Sequence, residues 1–244
     1  MTPDEFKSLP VVTAALEQPR SVRSVLNYIC ACNTSDPVMR EQLSMDDHVR
    51  PLLGIWFTSG VAMDGLAQAF VPVIRELAAN TLNETEWQSV EGKAARVFLA
   101  DQVSRNAFRD SAECFAYDPI ALELMADLTS KERQEATLAL PAGIIYLLSW
   151  ALAHSEALPD LVRAVDLTKS AMAVYPNFTL FERNLSAIQQ HRDVLAHFGR
   201  YPQRNARLGR QNTSEEQAWL DDVENLPIWA GGKGGPFGKV IFQE

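Results

Sequence analysis

Apolar residues recur along most of the chain at intervals of three and four positions, which is the period of a helix with one buried face. Leu185, Ile188 and Leu195 form one such stripe. Gly199 follows at the position where a left-handed residue would end the helix. Strand-like alternation is nearly absent, and only residues 240–242 read as extended. The pattern therefore predicts an all-α protein of about nine to eleven helices joined by short loops.

Capping sequences mark the starts of three predicted helices. Residues 83–86 (Asn-Glu-Thr-Glu) and 213–216 (Thr-Ser-Glu-Glu) each place a Glu three positions after a capping side chain, an arrangement that satisfies free N–H groups of the first turn. Asp118 precedes Pro119, and proline is well accommodated at the first helical position. We therefore expect helices to begin at these three sites, the first of them running toward Gln102.

The segment 136–155 contains no Asp, Glu, Lys or Arg and is about as long as a membrane span. It nevertheless includes Pro141, Gly143 and His154, and no basic cluster flanks it. A central helix surrounded by other helices explains these features better. Residues 1–20 also lack the basic start and apolar centre of a signal peptide. We therefore expect a soluble protein with no membrane partner.

The length of 244 residues suits one globular domain with its own core. We expect an N-terminal extension over residues 1–23 and a single all-helical domain over residues 24–226. Residues 227–244 would then form a C-terminal tail, because they contain the glycine-rich run 231–235.

Charge and cysteine content exclude several classes of protein. The 31 acidic residues outnumber the 22 Lys and Arg, and the net charge of −9 has the wrong sign for a dedicated nucleic-acid binder. Cys30, Cys32 and Cys114 form no Cys-x-x-Cys pair. We therefore expect reduced thiols in the cytoplasm, no metal site and no cofactor. The motifs G-x-S-x-G and H-E-x-x-H and a Walker loop are also absent.

The first candidate site is formed by Asp101 and Arg105, which lie one helical turn apart. An acid that holds an arginine in position suits an anion clamp, because the planar guanidinium binds phosphate or carboxylate through two parallel hydrogen bonds. The alternative is an ion pair that ties the end of the helix to its neighbour.

The second candidate site is residues 154–156 (His-Ser-Glu), at the end of the uncharged segment. His154 can act as an acid or a base near neutral pH, with Glu156 or Asp101 orienting its ring. Adjacent helical residues point about 100° apart, so these three residues cannot themselves be a nucleophilic triad. The alternative is a capping Ser155 beside a structural His154.

The third candidate site is the run 191–210, the densest positive stretch of the chain. Asp193 and His197 lie one turn apart, a spacing that would orient the histidine. His191 and His197 point to different helical faces, which disfavours a two-histidine metal site. Beyond Gly199 the run carries four arginines, which form either a solvated basic loop or an ordered anion-binding segment.

Residues in six places resemble the motifs of one bacterial family. They are Trp56-Phe57 with Asp64 and Phe70; Asp101-Gln102, Arg105-Asn106 and Phe108-Arg109; Phe115-Ala116, Asp118 and Ala121-Leu122; His154-Ser155-Glu156; the run 191–210 with F-G-R-Y-P-x-R-N-A-x-L-G-R at its centre; and Thr213 with Glu215-Glu216. Over residues 24–220 the chain resembles the bacterial domain of unknown function 924 family. The resemblance implies a tetratricopeptide-like, right-handed helical superfold, and it implies no activity.

The chain departs from the family pattern at several positions. Val103-Ser104 stand where the family has Phe-Pro, Asp110 stands in place of Gly, and Gln203 stands in place of His. Other polar residues match the family pattern, and a helical scaffold alone does not require such specific polar side chains. The matching residues are Asp101, Arg105, Asn106, Arg109, His154, Glu156, His191, Arg200, Arg204, Asn205 and Arg210.

Two functional hypotheses follow from the sequence. In the first, a pocket binds a small anionic molecule through a clamp of Arg105, Arg200 and Arg204, with Asn106, Arg109, Asn205 and Arg210 as further binding residues. His154 and His191 are then the candidate acid–base groups, positioned by Asp101 and Glu156. In the second, the protein is a scaffold that binds a peptide or protein, and the same polar residues join its helices. Arginines that converge on a partly open pocket would favour the first hypothesis, and arginines fully paired with carboxylates would favour the second.

Overall fold

A computed structural model describes residues 1–233, and their regular secondary structure is entirely helical, as predicted. The α-helices are α1 (Pro3–Ser8), α2 (Pro10–Glu17), α3 (Val22–Cys30), α4 (Pro37–Gln42), α5 (Asp46–Thr58), α6 (Asp64–Ala67), α7 (Val71–Ala78), α8 (Thr85–Gln88), α9 (Val90–Phe98), α10 (Ser104–Ala107), α11 (Asp118–Leu128), α12 (Gln134–Leu138), α13 (Ala142–Ala153), α14 (Leu158–Val174), α15 (Leu180–Phe198) and α16 (Ser214–Asp221). These sixteen α-helices within residues 1–233 are more than the nine to eleven predicted, and ten of them are eight or more residues long. The tetratricopeptide-like arrangement stays a prediction, and the extended stretch 240–242 lies outside the described residues.

Two of the predicted helix ends form by the expected local chemistry. The N–H of Glu216 donates to Thr213 Oγ1 at 3.1 Å, and the Glu216 carboxylate accepts the N–H of Thr213 at 2.7 Å, so a capping box starts α16. Gly199 adopts φ 72° and ends α15.

Helices also begin at the other two predicted sites, but without the expected side-chain caps. The helix predicted after residue 83 is divided at Ser89, which ends α8 and caps α9 by accepting the N–H of Gly92 at 2.9 Å. Asp118 begins α11 without capping it, because its carboxylate holds two arginines of other segments instead.

Residues 1–23, predicted as an extension, contribute to the same core as the rest of the domain. Phe6 of α1 is fully buried, with its ring edge-on to Tyr28 (5.6 Å) and Trp56 (6.0 Å), and Val12 of α2 is buried beside it. The apolar faces of these two short helices have to be covered, and α3 and α5 supply the surfaces that cover them.

Helix α13 is the centre of the fold, as the uncharged segment predicts. All twelve of its residues are buried, and it packs against α9, α11, α14 and α15. Its first turn is held by the loop between α4 and α5, since Ala142 N–H donates to Ser44 Oγ (3.0 Å) and Gly143 N–H to Leu43 O (2.8 Å). These bonds fix the N-terminal end of α13 against the N-terminal end of α5.

Gly143 is required for this close approach, and its replacement provides a test. A Cβ on Gly143 would lie 2.7 Å from Val49 Cγ2 and 2.8 Å from Leu43 O. We therefore expect Gly143→Ala to lower the free energy of unfolding by about 1–3 kcal/mol in urea denaturation. Gly65→Ala is the control, because nothing lies within 4 Å of its added Cβ. Equal stabilities for the two variants would contradict this account.

No single helix within residues 1–233 has both the length and the apolar character that a bilayer span requires. Asp46–Thr58 and Gly60–Ala78 meet that test only when taken together, across a bend of 104°.

Candidate functional site

A cavity of about 360 Å³ lies between α5, α13 and α15 and is bordered by a short 3₁₀ turn, Ile228–Ala230. Each of the three helices supplies residues four positions apart, a spacing that places them on one helical face. These are Arg50, Gly54 and Thr58 on α5; Tyr146, Trp150 and the C-capping His154 of α13; and Arg183, Ala187 and His191 on α15, with Leu53, Phe57, Ile228 and Trp229 completing the lining.

The cavity has two chemically different ends. The N-terminal ends of α5 and α15 meet where Asp46 accepts the Thr179 hydroxyl and the N–H of Leu180. Because α5 and α13 are also joined at their N-terminal ends, Arg50, Arg183 and Tyr146 lie toward the same end of the cavity. We call this the arginine end.

The other end is formed by His154 and His191, whose ring centroids are 6.4 Å apart, and we call it the histidine end. The two ends are separated by the rise from position 146 to position 154 of α13, about 12 Å at 1.5 Å per residue.

Aromatic rings form the walls between the two ends. Trp150 packs against Phe57 at a centroid distance of 5.1 Å and against His191 at 5.3 Å. Trp229 stacks on His191 at 3.9 Å with an interplanar angle of 25°. Residue 229 belongs to the predicted C-terminal tail, so the beginning of that segment is part of the folded domain.

Asp101 orients His154. Nδ1 of His154 lies 2.8 Å and 3.1 Å from the two carboxylate oxygens of Asp101, and Arg105 Nη2 donates to the same carboxylate at 2.8 Å. Asp101 lies in the π-helical turn Leu99–Val103 between α9 and α10, a rare backbone form that is frequent at functional sites. Since an ionised carboxylate only accepts hydrogen bonds, Nδ1 carries the hydrogen and Nε2 is the ring nitrogen left for the cavity.

Burial and neighbouring charges set the protonation states of this pair. Burial opposes ionisation of Asp101, but His154, Arg105 and Arg204 more than offset it, so the pKa of the carboxyl lies below its ordinary value. Burial lowers the pKa of His154, and Asp101 offsets this only in part. At neutral pH the arrangement is therefore an ionised Asp101 beside a neutral His154.

His191 is held in the same tautomer by its own helix. Its Nδ1 lies 2.9 Å from the carbonyl oxygen of Ala187, and a carbonyl can only accept. Burial lowers the pKa of His191 to about 3, with this hydrogen bond acting in the opposite direction. His191 is therefore neutral, with Nε2 as an acceptor.

Arg105 and Arg204, two members of the predicted clamp, lie outside the cavity and share Asp118. Arg105 donates to Asp118 Oδ1 at 3.0 Å and to the carbonyl oxygen of Cys114 at 3.1 Å. Arg204 donates to Asp118 Oδ2 at 3.4 Å and to the carbonyl oxygen of His154 at 2.7 Å, with its guanidinium 4.7 Å from the Phe115 ring centroid. Both arginines thus join buried segments of the chain.

Glu156 holds the loop after α15 and does not orient His154. Its carboxylate forms two bonds with Arg210, at 2.9 Å and 2.7 Å, and accepts the N–H of Tyr201 at 2.9 Å. Burial opposes ionisation, but these three donors outweigh it and hold the pKa of Glu156 below its ordinary value. Tyr201 in turn donates its hydroxyl to the carbonyl oxygen of Ala153 at 2.7 Å.

Arg200 and Asn205 both contact Glu216. Arg200 forms two bonds with this carboxylate, at 2.6 Å and 2.8 Å, and Asn205 donates to it at 3.3 Å. The hydrogen bonds from Arg200 are the main cause that lowers the pKa of Glu216 to about 2. His197, expected beside Asp193, lies 2.6 Å from Glu215.

Arg109 and Asn106 form a separate cluster with Asp64. Arg109 Nε lies 2.9 Å and 2.7 Å from the two oxygens of Asp64, and its Nη2 donates to Asn106 Oδ1 at 2.8 Å. These two predicted ligand-binding residues therefore tie α10 to α6.

Of the eleven predicted site residues, His154 and His191 line the cavity, and the sequence analysis missed Arg50, Trp150, Arg183 and Trp229. For Trp150 and Arg183 the missed signal was the spacing of four and eight residues that places them on the same helical faces as His154 and His191, whereas Arg50 and Trp229 lie on other elements and carried no such signal. Among residues 1–233, no three His, Cys, Asp or Glu side chains are grouped as metal ligands.

Comparison with known proteins places the chain in a family. It is similar to the solved structure of the protein of unknown function ATU0120 from Agrobacterium tumefaciens, with 27% identity and a TM-score of 0.57, covering 68% of this chain and 88% of that chain. No curated protein matches. Residues 48–224 match the family described as bacterial protein of unknown function (DUF924). Because this match spans more than half of the chain and includes nearly all of the cavity lining, the protein belongs to the DUF924 family.

Proposed function

We propose that the protein binds a small organic anion with a flat apolar body in the cavity between α5, α13 and α15. The observation that carries this proposal is the placement of two arginines, Arg50 and Arg183, at one end of an aromatic-lined cavity. Its volume of about 360 Å³ falls in the range of small-molecule sites, about 300–1,000 Å³.

The charge of the arginine end favours a carboxylate or phosphate. A guanidinium presents several N–H donors in one plane and binds such groups through paired hydrogen bonds. The side chain of Arg50 is 51% exposed, and within residues 1–233 it pairs with Asp46 across 3.9 Å. Arg50 can therefore turn toward an anion without breaking a short ion pair.

The aromatic walls favour a flat ligand. Phe57, Trp150 and Trp229 present ring surfaces, and a ligand ring would pack against them in offset or edge-on contact. In the proposed site, Arg50 and Arg183 take the place of the clamp of Arg105, Arg200 and Arg204 in the first sequence hypothesis.

Thermal melting against aromatic and aliphatic carboxylates and phosphates tests the proposal. A ligand at a hundred times its Kd should add about 2.7 kcal/mol of stability, which raises Tm by a few degrees. Tryptophan fluorescence should change on binding, since Trp150 and Trp229 line the cavity. Arg183→Ala should weaken binding by about 1.5–3 kcal/mol, the contribution of a charged hydrogen bond.

Two further variants make the test specific to this cavity. Ala187→Phe should fill its centre and abolish binding. Arg192→Ala removes a charge from an exposed position of α15 outside the cavity, and should leave binding unchanged. Ligand-induced shifts that survive both Arg183→Ala and Ala187→Phe would overturn the proposal, and the absence of any shift across the panel would favour the peptide- or protein-binding scaffold.

A cytoplasmic location is part of the proposal. It is supported by Cys30, Cys32 and Cys114, all of which are free thiols, since oxidising compartments favour disulfides.

A further inference from the structure

The two histidines present the same chemistry to the cavity. In both rings Nδ1 donates a hydrogen bond. His154 donates to the Asp101 carboxylate, and His191 donates to the carbonyl oxygen of Ala187. Neither Nε2 has a hydrogen-bond partner within residues 1–233. A neutral imidazole with its hydrogen on Nδ1 offers a lone pair at Nε2. The histidine end is therefore an acceptor end, matched to a group that donates a hydrogen.

We infer that the ligand carries a weakly acidic hydroxyl at the end opposite its anionic group, and that His154 takes the proton of this hydroxyl. The inference rests on the proposed function, because it concerns the same cavity. In the step the O–H bond of the ligand breaks, an N–H bond forms at His154 Nε2, and the electron pair stays on the ligand oxygen. The products are an oxyanion and an imidazolium, so no further reactant is needed.

His154 is the proton acceptor rather than His191 because of what lies behind each ring. An ionised carboxylate, Asp101, faces Nδ1 of His154 and stabilises the positive imidazolium, as in the orienting pairs of known acid–base sites. Only a carbonyl oxygen faces Nδ1 of His191. Arg105 and Arg204 oppose the positive charge on His154, and the oxyanion formed in the cavity favours it from the other side.

The separation of the two ends sets the length of the ligand. The positions of Tyr146 and His154 are about 12 Å apart along α13, and arginine and histidine side chains reach inward from both ends. An aromatic acid with a hydroxyl on the far side of one ring fits this spacing, and the aromatic walls hold its plane. The inferred ligand class is therefore a hydroxylated aromatic acid.

The probe for the test is 4-hydroxy-3-nitrophenylacetate, which carries a carboxylate and a phenol whose ionised form is coloured. The experiment is done one pH unit below the phenol's pKa in water, where about a tenth of the free probe is ionised. Transfer of the proton to His154 should lower the apparent pKa of the bound phenol by about one unit. About half of the bound probe is then ionised, so its phenolate absorbance should rise about five-fold. Binding is measured separately by calorimetry.

Two controls separate proton transfer from binding. His154→Gln should still bind the probe but lose the rise in absorbance, whereas His197→Gln, at a partly exposed position outside the cavity, should keep it. The 4-methoxy analogue has no proton to give, and should bind wild-type protein at least about ten-fold more weakly, the loss of one hydrogen bond at 1.4 kcal/mol. This last comparison needs no variant to fold.

The possible failures are distinguishable. Probe that binds without a change in absorbance, or that keeps the change in His154→Gln, would overturn the proton transfer and leave the anion site standing. Equal affinity for the hydroxyl and methoxy probes would overturn the donor requirement. Failure of both probes to bind, in a protein that also binds no other aromatic acid, would overturn the proposed function as well.

Discussion

Replacing Arg105 by alanine should lower the free energy of unfolding by about 3–5 kcal/mol, because the change removes a charged donor from the buried Asp101 carboxylate and from Asp118. Within residues 1–233, Asp101 then keeps only His154, and Asp118 keeps only Arg204. Arg105 donates to Asp101 and Asp118 and to the carbonyl oxygen of Cys114. The side chain of Asp101 is only 5% exposed, so water cannot replace the lost donor. Denaturation in urea at pH 7 measures the effect.

Arg133→Ala provides the matched control. Arg133 also pairs with a carboxylate, on Asp127, but the two side chains are 43% and 41% exposed. We expect this variant to lose no more than about 1 kcal/mol, as is usual for surface pairs. A similar small loss in Arg105→Ala would show that the buried network does not stabilise the fold, and would return Arg105 to the list of ligand-binding candidates.

Between pH 6.5 and pH 5 the stability of the protein should fall with pH, and His191 should cause a large part of this fall. Burial lowers the pKa of His191 from 6.5 to about 3, so the folded protein stays unprotonated where the unfolded chain takes up a proton. The unfolded state then binds more protons, and each such histidine reduces the free energy of unfolding by up to about 1.4 kcal/mol per pH unit. The lowered pKa of His154 acts in the same direction.

His191→Phe isolates this contribution, since phenylalanine keeps an aromatic ring against Trp229 and cannot titrate. The slope of stability against pH should become shallower in this variant, measured by urea denaturation at several values between pH 5 and 6.5. Gly143→Ala is the control, because it should lower stability without changing the slope. An unchanged slope in His191→Phe would mean that the folded protein accepts the proton at His191 as readily as the unfolded chain does.

Four polar residues of the sequence motifs are joined in one network behind the cavity. Asp101, Arg105, Asp118 and Arg204 form a buried network that connects the π-helical turn to α11 and to the loop after α15. This network ends at His154, through Nδ1 and through its carbonyl oxygen. The motif arginines therefore position the cavity from outside, and different side chains line it.

Local features of the sequence predicted those parts of the structure that depend only on residues close together in the chain. The apolar period predicted helices, Thr213 predicted the start of α16, and Gly199 predicted the end of α15, because each of these depends on hydrogen bonds within one turn. The pair of Asp101 and Arg105 was predictable for the same reason, since four helical residues bring the two side chains together. The uncharged segment likewise predicted a buried α13.

The sequence could not show which distant residues meet. Asp101 and His154 are 53 positions apart, and Arg204 reaches the carbonyl oxygen of His154 across 50 positions. Arg50, Arg183 and Trp229 read as ordinary surface or core residues until three helices are packed side by side. Helical period alone determined that this chain is all-α with a buried central helix. The cavity and its two ends were decided only by tertiary packing, because a helix's own sequence fixes which side chains share a face but not which face of another helix they meet.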